Sequence, residues 1–150
     1  MNIIKTRNSQ HVPRTLQQCF LGNDMKSYRD LEIYKISYDL AVKVHRFSLT
    51  LPQYEMCEEG NQVRKSSKGI PSCIAEGYGR KKYKAEFLKF LIYAHASCDE
   101  TTVHLSFLRD THNDNASTAK TLFDSYEELG AKINRFINYV EKDWNSRKDF

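Results

Sequence analysis

The chain has 150 residues, a formal net charge of +4, and 40% hydrophobic and 12% aromatic residues, which suits one packed domain and is too short for two sizeable ones. Its six Gly and three Pro fall well below the roughly 18 of average usage, which argues against a many-stranded sandwich or barrel and excludes collagen-like or Gly/Ser low-complexity sequence. No stretch longer than nine residues lacks a charged side chain, whereas a membrane-spanning helix needs about 20 apolar ones.

Residues 1 to 27 hold no sustained hydrophobic period and are expected to form a flexible or loosely docked tail. The segment lacks the continuous apolar core of a secretory signal, and Met25 offers a second possible start. Cys19, Cys57, Cys73 and Cys98 contain no CxxC pair, so they read as reduced thiols in a cytoplasmic protein. From Asp30, read as an N-cap, apolar residues at Ile33, Ile36, Leu40, Val44, Phe47 and Leu51 follow steps of three and four. That spacing predicts helix one, ending near Leu51.

Pro52 is placed at the first position of helix two, where its missing N–H is harmless, and Glu55, Glu58 and Glu59 favour the positive helix end. The inward series Met56, Gly60, Val63, Ser67, Ile70 and Ile74 is rich in small residues, which permits a close approach by a neighbouring helix. Pro71 is expected to kink this helix, eased by Gly69. Gly77 and Gly79 are expected to stop it, with Arg80 to Lys84 making the turn.

Helix three carries Phe87, Leu91, Ala94, Cys98, Thr101, Leu105 and Leu108, and helix four carries Ala119, Leu122, Tyr126, Leu129, Ile133, Phe136 and Val140. Phe123, Gly130, Ile137 and Trp144 flank the latter at seven-residue intervals, a face wide enough for a bundle interior. The fold class is all-α: an antiparallel up-down-up-down four-helix bundle with a kinked second helix, over residues 28–146, with a C-terminal tail at 147–150.

Chemistry is sought in the charge distribution. Between Arg64 and Lys84 lie Arg64, Lys65, Lys68, Arg80, Lys81, Lys82 and Lys84, opposed by Glu76 alone. With Tyr78 and Tyr83 interleaved, this window offers phosphate neutralisation and base stacking. A solvated basic loop between helices is the plainer alternative. Glu76 is assigned a structural ion pair with Arg80 or Arg64 rather than a catalytic role. His95 with Asp99, and Glu100 with His104, are i,i+4 pairs, but no Glu-x-x-His occurs, so the di-iron pattern of helical bundles is absent and neither metal nor cofactor is expected.

The segment Leu51 to Glu55, then Gln62 to Ser67, then Gly69-Ile70-Pro71-Ser72-Cys73-Ile74-Ala75-Glu76-Gly77-Tyr78-Gly79-Arg80, resembles the signature of bacterial four-helix-bundle proteins encoded within intervening sequences of 23S ribosomal RNA genes. Tyr28 to Leu31, Phe87 to Leu91 and Ala94 to Glu100 continue the similarity, which spans about residues 28 to 144. Cys73 stands where the family usually has Asn, and Ala96 where it commonly has Gly, which puts a shared polar network at the kink in doubt. The resemblance implies a cytoplasmic bundle assembling as a ring of five, with a basic surface for nucleic acid and no established enzymatic activity. Similar bundles are accessory proteins of diversity-generating retroelements, where they bind a reverse transcriptase and its RNA. Arg64, Lys65, Arg80 and Lys82 match the motif's basic positions, and Glu76 and Glu100 its acidic ones, assigned to holding the bundle together.

The first expectation is therefore a non-enzymatic, homo-oligomeric nucleic-acid-binding bundle, its seven cations gathered into one landing place for RNA or DNA phosphates. The alternative is a protein-interaction scaffold or accessory subunit, for example of a reverse transcriptase, using outer residues such as Tyr34, Tyr38 and Trp144. An enzyme ranks last, because no catalytic constellation is present.

Overall fold

The computed structural model describes residues 26–144; the N-terminal tail up to Met25, the second start and the last six residues lie outside the described region. The chain opens with a 3-10 turn, Tyr28–Asp30. Five α-helices follow: α1 Glu32–Ser48, α2 Gln53–Cys57, α3 Glu59–Gly79, α4 Lys84–Thr111 and α5 Ala116–Lys142. Because α2 and α3 form one bent rod, the molecule is an all-α four-helix bundle. Ion pairs and contacts fix the topology. Glu55 meets His112, Glu59 meets His104, Ser66 meets Thr101, and Gly77 lies against Phe90, so residue numbers rise on α3 as they fall on α4. The same antiparallel sense joins α1 to α3, through Ser48 with Arg64 and His45 with Lys68, and α4 to α5, through Phe87 with Phe136 and Arg109 with Phe123.

Asp30 does not cap α1. Its carboxylate accepts the Ser27 backbone N–H at 2.9 Å, half of a capping box closed by Ser27 Oγ on the Arg29 N–H. Leu31 occupies the α1 N-cap without a side-chain bond, and α1 ends at Ser48, three residues short of the Leu51 expected from hydrophobic spacing. Leu51 is nonetheless buried: the loop, not the helix, delivers it to the core.

The second rod also breaks near its start. Pro52 is the N-cap of α2, and the backbone departs from helical angles at Glu58, with φ −92° and ψ −99°. Two carboxylates on either side of this break, Glu55 and Glu59, are held at 2.7 Å each by His112, the C-cap of α4, and by His104 within it. Gly60 fits closely here, since an added Cβ would lie 3.1 Å from the Glu55 carbonyl oxygen. α3 continues through Pro71 as one helix, with Pro71 buried against its neighbours; packing compensates for the missing donor, as it does wherever tertiary contacts override local propensity.

The helix ends at Gly79, where a stop was expected, but not through a left-handed glycine. Neither Gly77 nor Gly79 has a positive φ, and the C-cap is Arg80. Gly77 serves the close approach of α3 to α4, because a Cβ there would lie 2.8 Å from Phe90 Cβ. Farther along the same seam Thr101 Oγ1 donates to Ser66 Oγ at 2.9 Å, and Gly69 faces Ser97. Small side chains thus let two backbones pack tightly while pairing their own polar atoms.

The core around this seam contains Val63, Ile70, Ile74, Phe87, Leu91, Leu105, Tyr126, Ile133 and Phe136. Phe87 is its aromatic centre, edge-on to Tyr78, Phe136 and Trp144 with ring centroids 6.3, 6.1 and 5.3 Å away. Trp144 is therefore buried within its own chain and is not an outer contact residue. Cys98 is buried with its thiol directed at the Tyr126 carbonyl oxygen at 3.2 Å; burial, aided by Asp99 and Glu127, pushes the thiol up to about 12 and keeps it protonated. The three described cysteines are free.

Gly77→Ala should lower the free energy of unfolding by about 1–2 kcal/mol, the overpacking outweighing the gain in helix propensity. Gly79→Ala, with nothing within 4 Å of an added Cβ, should raise it by about 0.5–1 kcal/mol. Urea unfolding followed by circular dichroism separates the two; equal effects at both positions would refute the close-approach role.

Candidate nucleic-acid interface

The seven cations do not form one surface. Along α3, Lys65 stands about 22 Å from Arg80 at the helical rise of about 1.5 Å per residue. Lys65 is exposed on the outer face of α3. Arg64 points the other way: its guanidinium donates to Ser48 Oγ and to the Met56 carbonyl, both at 3.0 Å. It ties the end of α1 and the last turn of α2 to α3, a structural task, and it does not reach Glu76. Lys68 faces α1, with Nζ 3.3 Å from His45 Nδ1. What the window holds as one group is the α3–α4 turn, from Arg80 to Lys84.

That turn is built by backbone bonds from Arg80 and Lys81 N–H back to Gly77 and Tyr78 carbonyls and from Tyr83 N–H to the Arg80 carbonyl. Arg80 pairs with Glu76 at 2.9 Å, the pairing expected from their spacing, and with Glu86 at 3.7 Å, and lies over the Phe90 ring at 4.8 Å. Two carboxylates neutralise it, so it anchors the turn more than it attracts anions. Lys84 donates to the Glu141 carbonyl near the end of α5, satisfying a terminal acceptor. Lys81 lies over Tyr78, 4.1 Å from the centroid, and donates to its hydroxyl at 2.9 Å. Lys82 is exposed, 5.9 Å from the centroid of Tyr83, which is itself 64% exposed. Lys81, Lys82 and Tyr83 are thus the cationic and stacking part of the turn.

Glu100 lies 3.7 Å from His104 Nε2, whose Nδ1 is 2.7 Å from Glu59. The links from His104 and His112 into the bent rod were not anticipated from the sequence. His112 and Glu55 are fifty-seven positions apart, and no local spacing rule connects such residues. Among the described residues no group of three or more metal-ligating side chains gathers, and no helix is long and apolar enough to cross a membrane.

Tyr38 of α1 is exposed as expected, and a further apolar surface lies on α4, where Ile92, Val103 and Phe107 are each more than half exposed. With Ala96 they form one line at helical spacing on the side opposite Leu91, Cys98 and Leu105. α4 is therefore apolar on two faces, only one of which the bundle covers.

The sequence profile of the family described as 23S rRNA-intervening sequence protein matches residues 29–135. The chain belongs to that family. The match begins in the 3-10 turn, ends within α5, and includes the entire α3–α4 turn of this 23S rRNA-intervening sequence protein. No match is found among curated proteins.

Arg64→Met should cost this family member about 2 kcal/mol of stability, since it removes charge-assisted bonds to two partly buried acceptors. Lys65→Met, at an exposed site, should change stability by less than about 0.5 kcal/mol. Chemical denaturation of both variants tests the division between structural and surface cations; equal stabilities would overturn it.

Proposed function

We propose that this 23S rRNA-intervening sequence protein is a non-enzymatic, homo-oligomeric nucleic-acid-binding bundle of the cytoplasm that neutralises RNA or DNA phosphates with the α3–α4 turn and does not read base edges. The observation that carries this reading is the exposed Lys82–Tyr83 pair beside Lys81, a charge for the backbone next to a ring for an unpaired base. Lys65 extends the positive field along α3 without adding to the turn itself. Self-assembly, with five copies as the family resemblance implies, draws support from the exposed line of Ile92, Ala96, Val103 and Phe107. The same line supports the second reading, an accessory subunit whose α4 face is covered by another protein such as a reverse transcriptase.

In gel-shift titrations with a structured RNA and a single-stranded DNA, the double variant Lys81→Glu/Lys82→Glu should bind at least tenfold more weakly than the parent, and its log affinity against log salt should flatten by about 2. Binding that does not occur at low salt, or that ignores the double variant, would overturn the proposal. By analytical ultracentrifugation the parent should sediment as an assembly of five 17.6 kDa chains, and Val103→Glu/Phe107→Glu as the monomer. A monomeric parent would remove the self-assembly claim and favour the accessory reading.

A further inference from the structure

A groove of about 510 Å³ runs between α1 and α3, lined by residues outside the α3–α4 turn. Its floor is apolar, from Ala41, Val42, Pro71 and Ala75; its ends are not alike. One end is aromatic. Tyr34 is braced edge-on by Tyr28 at 4.8 Å and lies 6.1 Å from Tyr38, tilted by 30°, and Tyr38 remains 54% exposed. The other end is basic, with Lys68, Arg46 and His45. Lys68 Nζ lies 3.3 Å from His45 Nδ1 and makes no ion pair with a carboxylate among the described residues. Arg46 is exposed, and among the described residues it makes no ion pair and no carboxylate lines the groove.

On α1 the two ends are seven or eight residues apart, or about 10–12 Å along the axis. A ligand that satisfies both must carry a flat ring and, one short linker away, an anion. An extended peptide suits the groove poorly, because its lining supplies few acceptors for backbone N–H groups beyond the Ser72 and tyrosine hydroxyls. The volume lies in the range of small-molecule sites. We infer that the α1/α3 groove is a nucleoside-phosphate site, the base stacking on Tyr38 and the phosphate meeting Lys68, Arg46 and His45. Stacking on an aromatic face accepts any base, and cations in a recess with no opposing acid select for phosphate. This site goes beyond the proposed function and does not depend on the turn.

The test is an NMR titration of the full-length chain with AMP, and with adenosine and inorganic phosphate separately. AMP should bind at least tenfold more tightly than either fragment, with amide shifts centred on Tyr38, Val42, His45 and Ser72. Tyr38→Ala and Lys68→Glu, both at exposed positions, should each weaken AMP at least tenfold, and Lys82→Glu should leave it unchanged. Displacement of AMP by a short single-stranded oligoadenylate would identify the nucleotide as part of a strand; failure to displace it would identify the free mononucleotide, and either supports the site. AMP no tighter than phosphate, shifts centred on residues 81–83, or parent affinity in both groove variants would overturn it. Loss of RNA binding in the Lys81→Glu/Lys82→Glu variant with AMP binding intact, or the reverse, distinguishes failure of one proposal from failure of the other.

Discussion

The close contact between α3 and α4 governs the architecture. Gly77 against Phe90, Gly69 against Ser97 and the Thr101–Ser66 hydrogen bond bring the two backbones together along one seam. At one end of the seam the short turn of Arg80 to Tyr83 is all that separates the helices, so its cations project from a rigid support. At the other end His104 and His112 hold Glu59 and Glu55 at 2.7 Å and set the bend at Glu58. Larger side chains along this line would separate the helices, and both the turn and the bend would lose their framework.

That framework divides the basic residues by task. Arg64 and Lys84 are consumed in satisfying acceptors, Arg80 is shared between two carboxylates, and Lys68 is turned toward α1. Charge counted along the chain treats these seven as equal, but charge available to a polyanion depends on what each group already contacts. The result is two separate basic places, the turn and the α1/α3 groove, each next to exposed tyrosine. Each is smaller than the single patch the sequence suggested, and each joins a cation to a ring.

Much of the fold was legible in the sequence because hydrophobic spacing directly reports which side of a helix faces inward. The inward positions of helices three and four, Phe87 to Leu108 and Ala119 to Val140, are buried as the spacing required, and the Glu76–Arg80 pair follows from i,i+4 geometry. Boundaries were less legible. Leu51 is buried from a loop, and the break at Glu58 has partners more than forty positions away. Gly77 was read as a stop because glycine serves both helix ends and helix contacts, and only the neighbour's position tells these apart. The outer face of α4 was missed because its inward residues already satisfied the pattern.

By itself, then, the sequence determined the all-α class, the four rods, their inward faces and the locally paired charges, since these arise from interactions within a turn or two of one helix. The tertiary structure alone decided which cations remain available, where the second rod bends, that Trp144 lies inside, and that a groove joins Tyr38 to Lys68. The physical reason is distance along the chain: hydrogen bonds, ring contacts and desolvation between residues tens of positions apart depend on how the helices pack, and local spacing carries no record of it.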